Sequence, residues 1–203
     1  MFRKTASYLI RFIAHPKEAS EEIAGDPRGV WAGFWFSLVF YFAYSIVALV
    51  YYLLNHLPVA KPFLTIPLEK WYLVQTFTTI PIGFAGMLSY SGLVYLLAKA
   101  AGGKGSFDAT FASQNFTILT PWIFLTWLPE AFIAPILFFK GVHQVPWPAW
   151  VENLRVFVIP IAWMLAASVI ALRRIHGINP ALCFSIVVVS LVPMAAIMAV
   201  FIR

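Results

Sequence analysis

Long apolar stretches alternate with short polar ones along this chain, and the alternation predicts helices that cross a membrane. Residues 30–54 carry no charged side chain. At about 1.5 Å rise per residue, about 20 apolar residues traverse a hydrocarbon core ~30 Å thick. Trp31 and Trp35 open this stretch and Tyr51 and Tyr52 close it, as interfacial anchors do. Residues 71–98 form a second span with Pro81 inside. Its small residues, Gly83, Ala85, Gly86, Ser89 and Gly92, allow close helix approach. Residues 111–139 form a third, 152–172 a fourth and 179–202 a fifth. The fourth carries Pro160, the spacings Ala162/Ala166 and Ala167/Ala171, and a Glu152–Arg155 pair placed to interact at i, i+3. The fifth carries Pro193. The expected fold is all-α: a polytopic membrane helical bundle of five transmembrane helices, kinked where proline removes a backbone bond.

Residues 1–30 read differently. Phe2, Ala6, Leu9, Phe12 and Ile13 fall on one helical face, and Lys4, Ser7 and Arg11 on another. This is the pattern of an amphipathic helix lying in the interface. Arg11 and His15 interrupt any signal-peptide core. A second short helix starts at Pro16, carries Glu18, Glu21 and Glu22 near its positive end, and stops at Gly25. Asp26-Pro27-Arg28-Gly29 is a turn. Residues 1–30 are thus a cytoplasmic or interfacial arm, and 31–203 the membrane domain. Arg3, Lys4, Arg11 and Phe12 are the candidate partner-binding face. Between spans, Pro58, Pro62 and Pro67 forbid a regular helix in residues 55–70. Pro146, Trp147, Pro148 and Trp150 suggest an anchor loop in 140–151.

The third span is the anomaly. Gln114, Asn115, Thr117 and Thr120 sit in apolar surroundings, and polar groups in hydrocarbon cost free energy unless partnered. With Glu130 they form the candidate polar intramembrane site. Glu130 is either an interfacial acid at a helix break or a proton or cation site. The turn before the span, residues 99–110, is glycine-rich. It lacks the spacing of a phosphate loop, and Ser106 or Asp108 is placed to cap the next helix.

Composition supports this layout. Apolar residues make up 62% of the 203 and charged residues 11%, against about a quarter in soluble domains. Mean hydropathy is +0.84. The net charge of +6 does not gather on one face as nucleic-acid binding requires. Of the 14 Lys and Arg, nine fall in segments on the N-terminal side of the membrane and five opposite. The positive-inside rule then places the N-terminus in the cytoplasm and the C-terminus outside. The single cysteine, Cys183, excludes an internal disulfide. His15, His56, His143 and His176 lack ligand spacing, so no metal or other cofactor is expected. No nucleophile elbow or paired intramembrane carboxylate is present, so no enzyme is expected either.

With spans and turns placed, the chain resembles the Yip1-domain family of multispanning membrane proteins. The resemblance rests on FIAHPKEASEEIAGDP in the arm, the turn LLAKAAGGKGSF, the following TFASQNFTILTPW, and the five-span layout. Eukaryotic members carry a D-L-Y-G-P-type motif before the first span. Asp26 and Gly29 fit its spacing while the rest differs. Gln114 and Asn115 stand where a Gly-Tyr pair precedes the family's proline, here Pro121. The arm is far shorter than the eukaryotic tails linked to Rab-type GTPases, so the chain is most similar to short prokaryotic members of the cell membrane. The expected function is a non-enzymatic membrane organiser that binds lipids, a second copy or other membrane proteins. The alternative is a small transporter or channel using Gln114, Asn115 and Glu130.

Overall fold

The computed structural model of the chain describes residues 2–57, 65–139 and 148–201. The expectations placed on Pro58, Pro62, Pro146 and Trp147 lie outside these residues, as does the Glu152 side chain. The described residues contain nine α-helices and no strand. The arm is α1 (Phe2–Ala14) and α2 (Pro16–Gly25). Then follow α3 (Gly29–Leu53), a 3-10 turn (Leu68–Lys70) running into α4 (Trp71–Ala100), and α5 (Phe107–Trp122). A π turn (Ile123–Trp127) links α5 to α6 (Leu128–Phe139). A short α7 (Ala149–Asn153) and a second π turn (Leu154–Val158) lead into α8 (Ile159–His176). The last helix is α9 (Pro180–Phe201).

Local chemistry sets several of these boundaries. The helix of the third apolar segment starts at Phe107, four residues before the expected 111, because the Ser106 hydroxyl accepts from Ala109 N at 3.2 Å and caps it. The fourth segment continues to His176, beyond the expected 172, until Gly177 adopts the left-handed conformation at φ 71°.

Four helices are long and apolar enough to cross a membrane: Gly29–Leu53, Leu68–Ala100, Leu154–His176 and Pro180–Met198. They belong to an all-helical bundle that fits an integral, multi-pass membrane protein. The segment 111–139, expected to be a fifth span, is not among the four. Its first half, α5, is the central helix. Every residue from Ala109 to Pro121 is buried, and α1, α2, α3, α4 and α8 all pack on it. A helix enclosed by protein can carry polar residues that a lipid-facing helix cannot, and that lowers its apolar character.

The arm does not lie free in an interface. Its inward face is Thr5, Tyr8 and Phe12, at i, i+3 and i+7, while Ile10 and Ile13 face outward. Phe12 stacks on Phe116 of α5 with centroids 5.1 Å apart, and Phe36 of α3 stacks on the same ring at 4.4 Å. Tyr8 meets Phe116 edge-on. The expected face of Ala6, Leu9 and Ile13 is therefore rotated: the stack takes Phe12, and the bundle, not lipid, receives it. Asp26 secures the arm from the other end. Lys4 Nζ lies 2.5 Å from its Oδ2, Tyr8 Oη donates to Oδ2 at 2.9 Å, and Arg28 N donates to Oδ1 at 3.0 Å. Arg11 pairs with Glu22 across α1 and α2.

The Lys4 ammonium and the Arg28 N–H hold the Asp26 carboxyl down at about 2, below its usual 3.8, and Tyr8 adds to this against the cost of burial. A carboxyl so depressed stabilises the docked arm fully above pH 3.8, and the contribution disappears as pH falls toward 2. Pepsin cleavage within residues 2–25 is expected to rise steeply between pH 4 and pH 2, and Asp26→Asn is expected to flatten that rise. An arm equally protected at both pH values contradicts the assignment.

Candidate functional site

Helix α5 turns polar side chains toward α2, α3, α4 and α8. Asn115 faces α3: its Nδ2 donates to its own Phe111 O at 2.6 Å, and its Oδ1 accepts from Ser37 Oγ. The two helices meet closely because Gly33 has no side chain. A Cβ there would stand 2.7 Å from Ala112 Cα. Gln114 joins α4 to α8. Tyr90 Oη donates to its Oε1 at 3.1 Å, and its Nε2 donates to Ser168 O at 3.4 Å. Thr117 Oγ1 lies 3.0 Å from Ser168 Oγ and 3.2 Å from Gln114 Oε1. Ser113 Oγ donates to Ser20 Oγ of α2 at 3.4 Å. Gln114 and Asn115 are fully buried, and their amides are occupied in holding helices together. Thr120 is also buried, and its hydroxyl has no partner among the described residues.

Glu130 is not part of this cluster. It lies roughly 24 Å further along the helical path, at ~1.5 Å per residue. There the chain makes its two π turns. Leu128 N donates to Ile123 O, and Ile159 N to Leu154 O, each reaching back five positions. Each π turn ends two residues before a proline, Pro129 or Pro160. A proline offers no N–H, so Pro129 cannot serve Leu125 O in the ordinary pattern. Arg155, from the second π turn, does so: its Nη1 donates to Leu125 O at 2.7 Å and to Thr126 O at 3.2 Å. Its Nη2 lies 3.6 Å from Glu130 Oε1, and Tyr51 Oη donates to Glu130 O at 2.9 Å. The sequence pointed Arg155 along its own helix toward Glu152, whose side chain lies outside the described residues; across the bundle, the guanidinium bridges two π turns.

At the opposite end, the glycine-rich turn wraps His176. A Cβ on Gly103 would sit 2.5 Å from His176 Nδ1, and one on Gly105 2.9 Å from Nε2. Nε2 lies 2.8 Å from Thr110 Oγ1, and Lys104 N donates to His176 O at 3.1 Å. The α4–α5 turn and the end of α8 are thereby fastened together. Arg174 adds the arm to the same end through a 2.7 Å pair with Glu21. His176 was legible only as one lone histidine. The signal that locates it is the run Gly102, Gly103 and Gly105, which leaves a notch for a ring.

On the candidate partner face, Arg3, Lys4 and Arg11 are exposed, whereas Phe12 is turned inward. Among the described residues, no three His, Cys, Asp or Glu side chains gather as a metal site would need. A family model described as Yip1 domain matches residues 10–202. Among curated proteins none matches the chain, and among solved structures none matches it.

Gly103→Ala should lower stability by about 1–3 kcal/mol, because its methyl meets the His176 ring and, at 2.6 Å, the backbone oxygen of Ala98. Gly92→Ala, where nothing lies within 4 Å, should be neutral or stabilise by up to about 1 kcal/mol. Denaturation midpoints in mild detergent check both. Equal effects from the two substitutions contradict the notch.

Proposed function

The chain belongs to the Yip1-domain family, and from that premise we propose that it is a non-enzymatic membrane organiser. It binds protein partners or lipid through the outer face of its arm and through its inner loops. One observation carries this reading: the amides of Gln114 and Asn115 are engaged between helices, so the chemistry left for a partner lies at the surface. There the arm offers Arg3 beside the exposed apolar Ile10 and Ile13.

In this reading the chain crosses the membrane five times, with the N-terminus in the cytoplasm, the C-terminus outside and prolines kinking the spans. The fifth crossing is α5 with the π turn and α6. Supporting it, the chain leaves the His176 end at Phe107 and stands beside Arg155 by Leu125. The nine cations of the arm and of the two turns around His176 then face the cytoplasm, as the positive-inside rule requires.

A transporter or channel is the second reading. It is favoured by the buried polar atoms of Thr120, Thr126 and Trp127, which have no partner among the described residues, beside π turns of the kind frequent at functional sites. It requires flux through reconstituted liposomes that Glu130→Gln alters.

The organiser reading predicts a stoichiometric complex, with a second copy or another membrane protein, in native mass spectra from mild detergent. The combined substitutions Arg3→Glu, Ile10→Ser and Ile13→Ser leave the Phe12–Phe116 stack intact and should dissolve that complex. A solitary monomer, or a complex indifferent to the substitutions, counts against it.

A further inference from the structure

Between the end of α8 and the start of α9 the chain forms a cleft of about 430 Å³, lined by Arg173, Arg174, Gly177, Ile178, Asn179 and Pro180. We propose that this cleft holds the phosphate of an anionic glycerophospholipid headgroup. The inference deepens the organiser reading and rests on it.

Four features converge. First, both flanking helices are long and apolar enough to cross a membrane, so the gap between them falls where lipid headgroups lie. Second, the cations there outnumber the acids. Arg173 is exposed and has no carboxylate partner among the described residues. Arg174 meets Glu21 through its Nε, and its guanidinium carries four further N–H donors. Arginine forks match phosphate oxygens geometrically. Third, the His176 notch brings the exposed Lys99 and Lys104 of the neighbouring turn to the same end. Basic pockets between membrane helices on the cytoplasmic side suit anionic headgroups. Fourth, the positive end of α9 opens on the cleft, with Asn179 Oδ1 accepting from Ala181 N at 2.8 Å, so that its amide NH2 remains a donor. The negative end of α8 opposes this, and it is partly neutralised because Gly177 N serves Arg173 O and Lys104 N serves His176 O.

The test uses the full chain in nanodiscs of phosphatidylcholine with and without phosphatidylglycerol, reading retained lipid by native mass spectrometry. Wild type should retain phosphatidylglycerol over phosphatidylcholine. Arg173→Gln should lower that retention about tenfold, the size of one charge-assisted hydrogen bond. Arg173→Lys, which keeps the charge and loses the fork, should fall between, and it carries the test if the glutamine variant does not fold. Lys70→Gln, on the loop before α4, should change nothing. Retention by both Arg173 variants equal to wild type overturns the proposal. Inorganic phosphate raising the melting temperature as much as phosphatidylglycerol overturns the lipid assignment in favour of a soluble phosphate. The protein complex of the preceding subsection is read in the same spectra: a lipid lost with the complex intact sinks only this site, and a lipid retained with no complex sinks only the partner-binding reading.

Discussion

Polar groups removed from water must find partners inside the protein, and α5 is where this chain concentrates that requirement. Surrounded by helices and rich in amides and hydroxyls, it is stable only because Ser37, Tyr90, Ser168 and Ser20 stand where its side chains reach. Interhelical hydrogen bonds in membranes average about 0.6 kcal/mol each. Their weight lies less in that sum than in their geometry: only one rotation and one depth of α5 satisfies α2, α3, α4 and α8 together. The same side chains therefore select the arrangement of the bundle.

The two ends of the bundle follow from that placement. Phe116 follows Asn115 by one position, and its ring receives the arm, sandwiched between Phe12 of α1 and Phe36 of α3. Thr110, nearly two turns earlier, reaches His176 and closes the end that carries Arg173, Arg174, Lys99 and Lys104. Beyond Pro121 the helix loses regular bonding, and Arg155 substitutes for the donor that Pro129 lacks. The fastened end and the end with two π turns thus differ in how their backbones are satisfied. The first depends on glycines that admit a ring, the second on a guanidinium that serves released carbonyls.

Much of this layout is legible in the sequence because hydrocarbon imposes a simple length rule. Residues 30–54 and 71–98 correspond closely to Gly29–Leu53 and Trp71–Ala100. The Yip1 resemblance, carried by the arm and the turn around Gly103, agrees with the family match over residues 10–202. Gln114, Asn115 and Thr117 stood out because polar side chains are rare in apolar helices; Gln114 and Thr117 meet beside Ser168, while Asn115 turns to Ser37 of another helix. Their partners did not stand out, since a serine such as Ser37 or Ser168 reads as another small packing residue. Phe12 was assigned to a partner face because periodicity identifies an apolar stripe without saying whether lipid or protein covers it. Glu130 was grouped with the amides by sequence proximity, and distance along the helix separates them. The reach of Arg155 to Leu125 O and Glu130 was not legible because spacing rules describe only neighbours on one helix.

The central claim is that the buried side chains of α5 couple it energetically to the helices around it. A double-mutant cycle on Ser37→Ala and Asn115→Ala, read as unfolding free energy of the full chain in bicelles, measures that coupling directly. The account predicts an interaction energy of about 0.5–1.5 kcal/mol. Strict additivity, with the two substitutions summing to within about 0.3 kcal/mol, would contradict it.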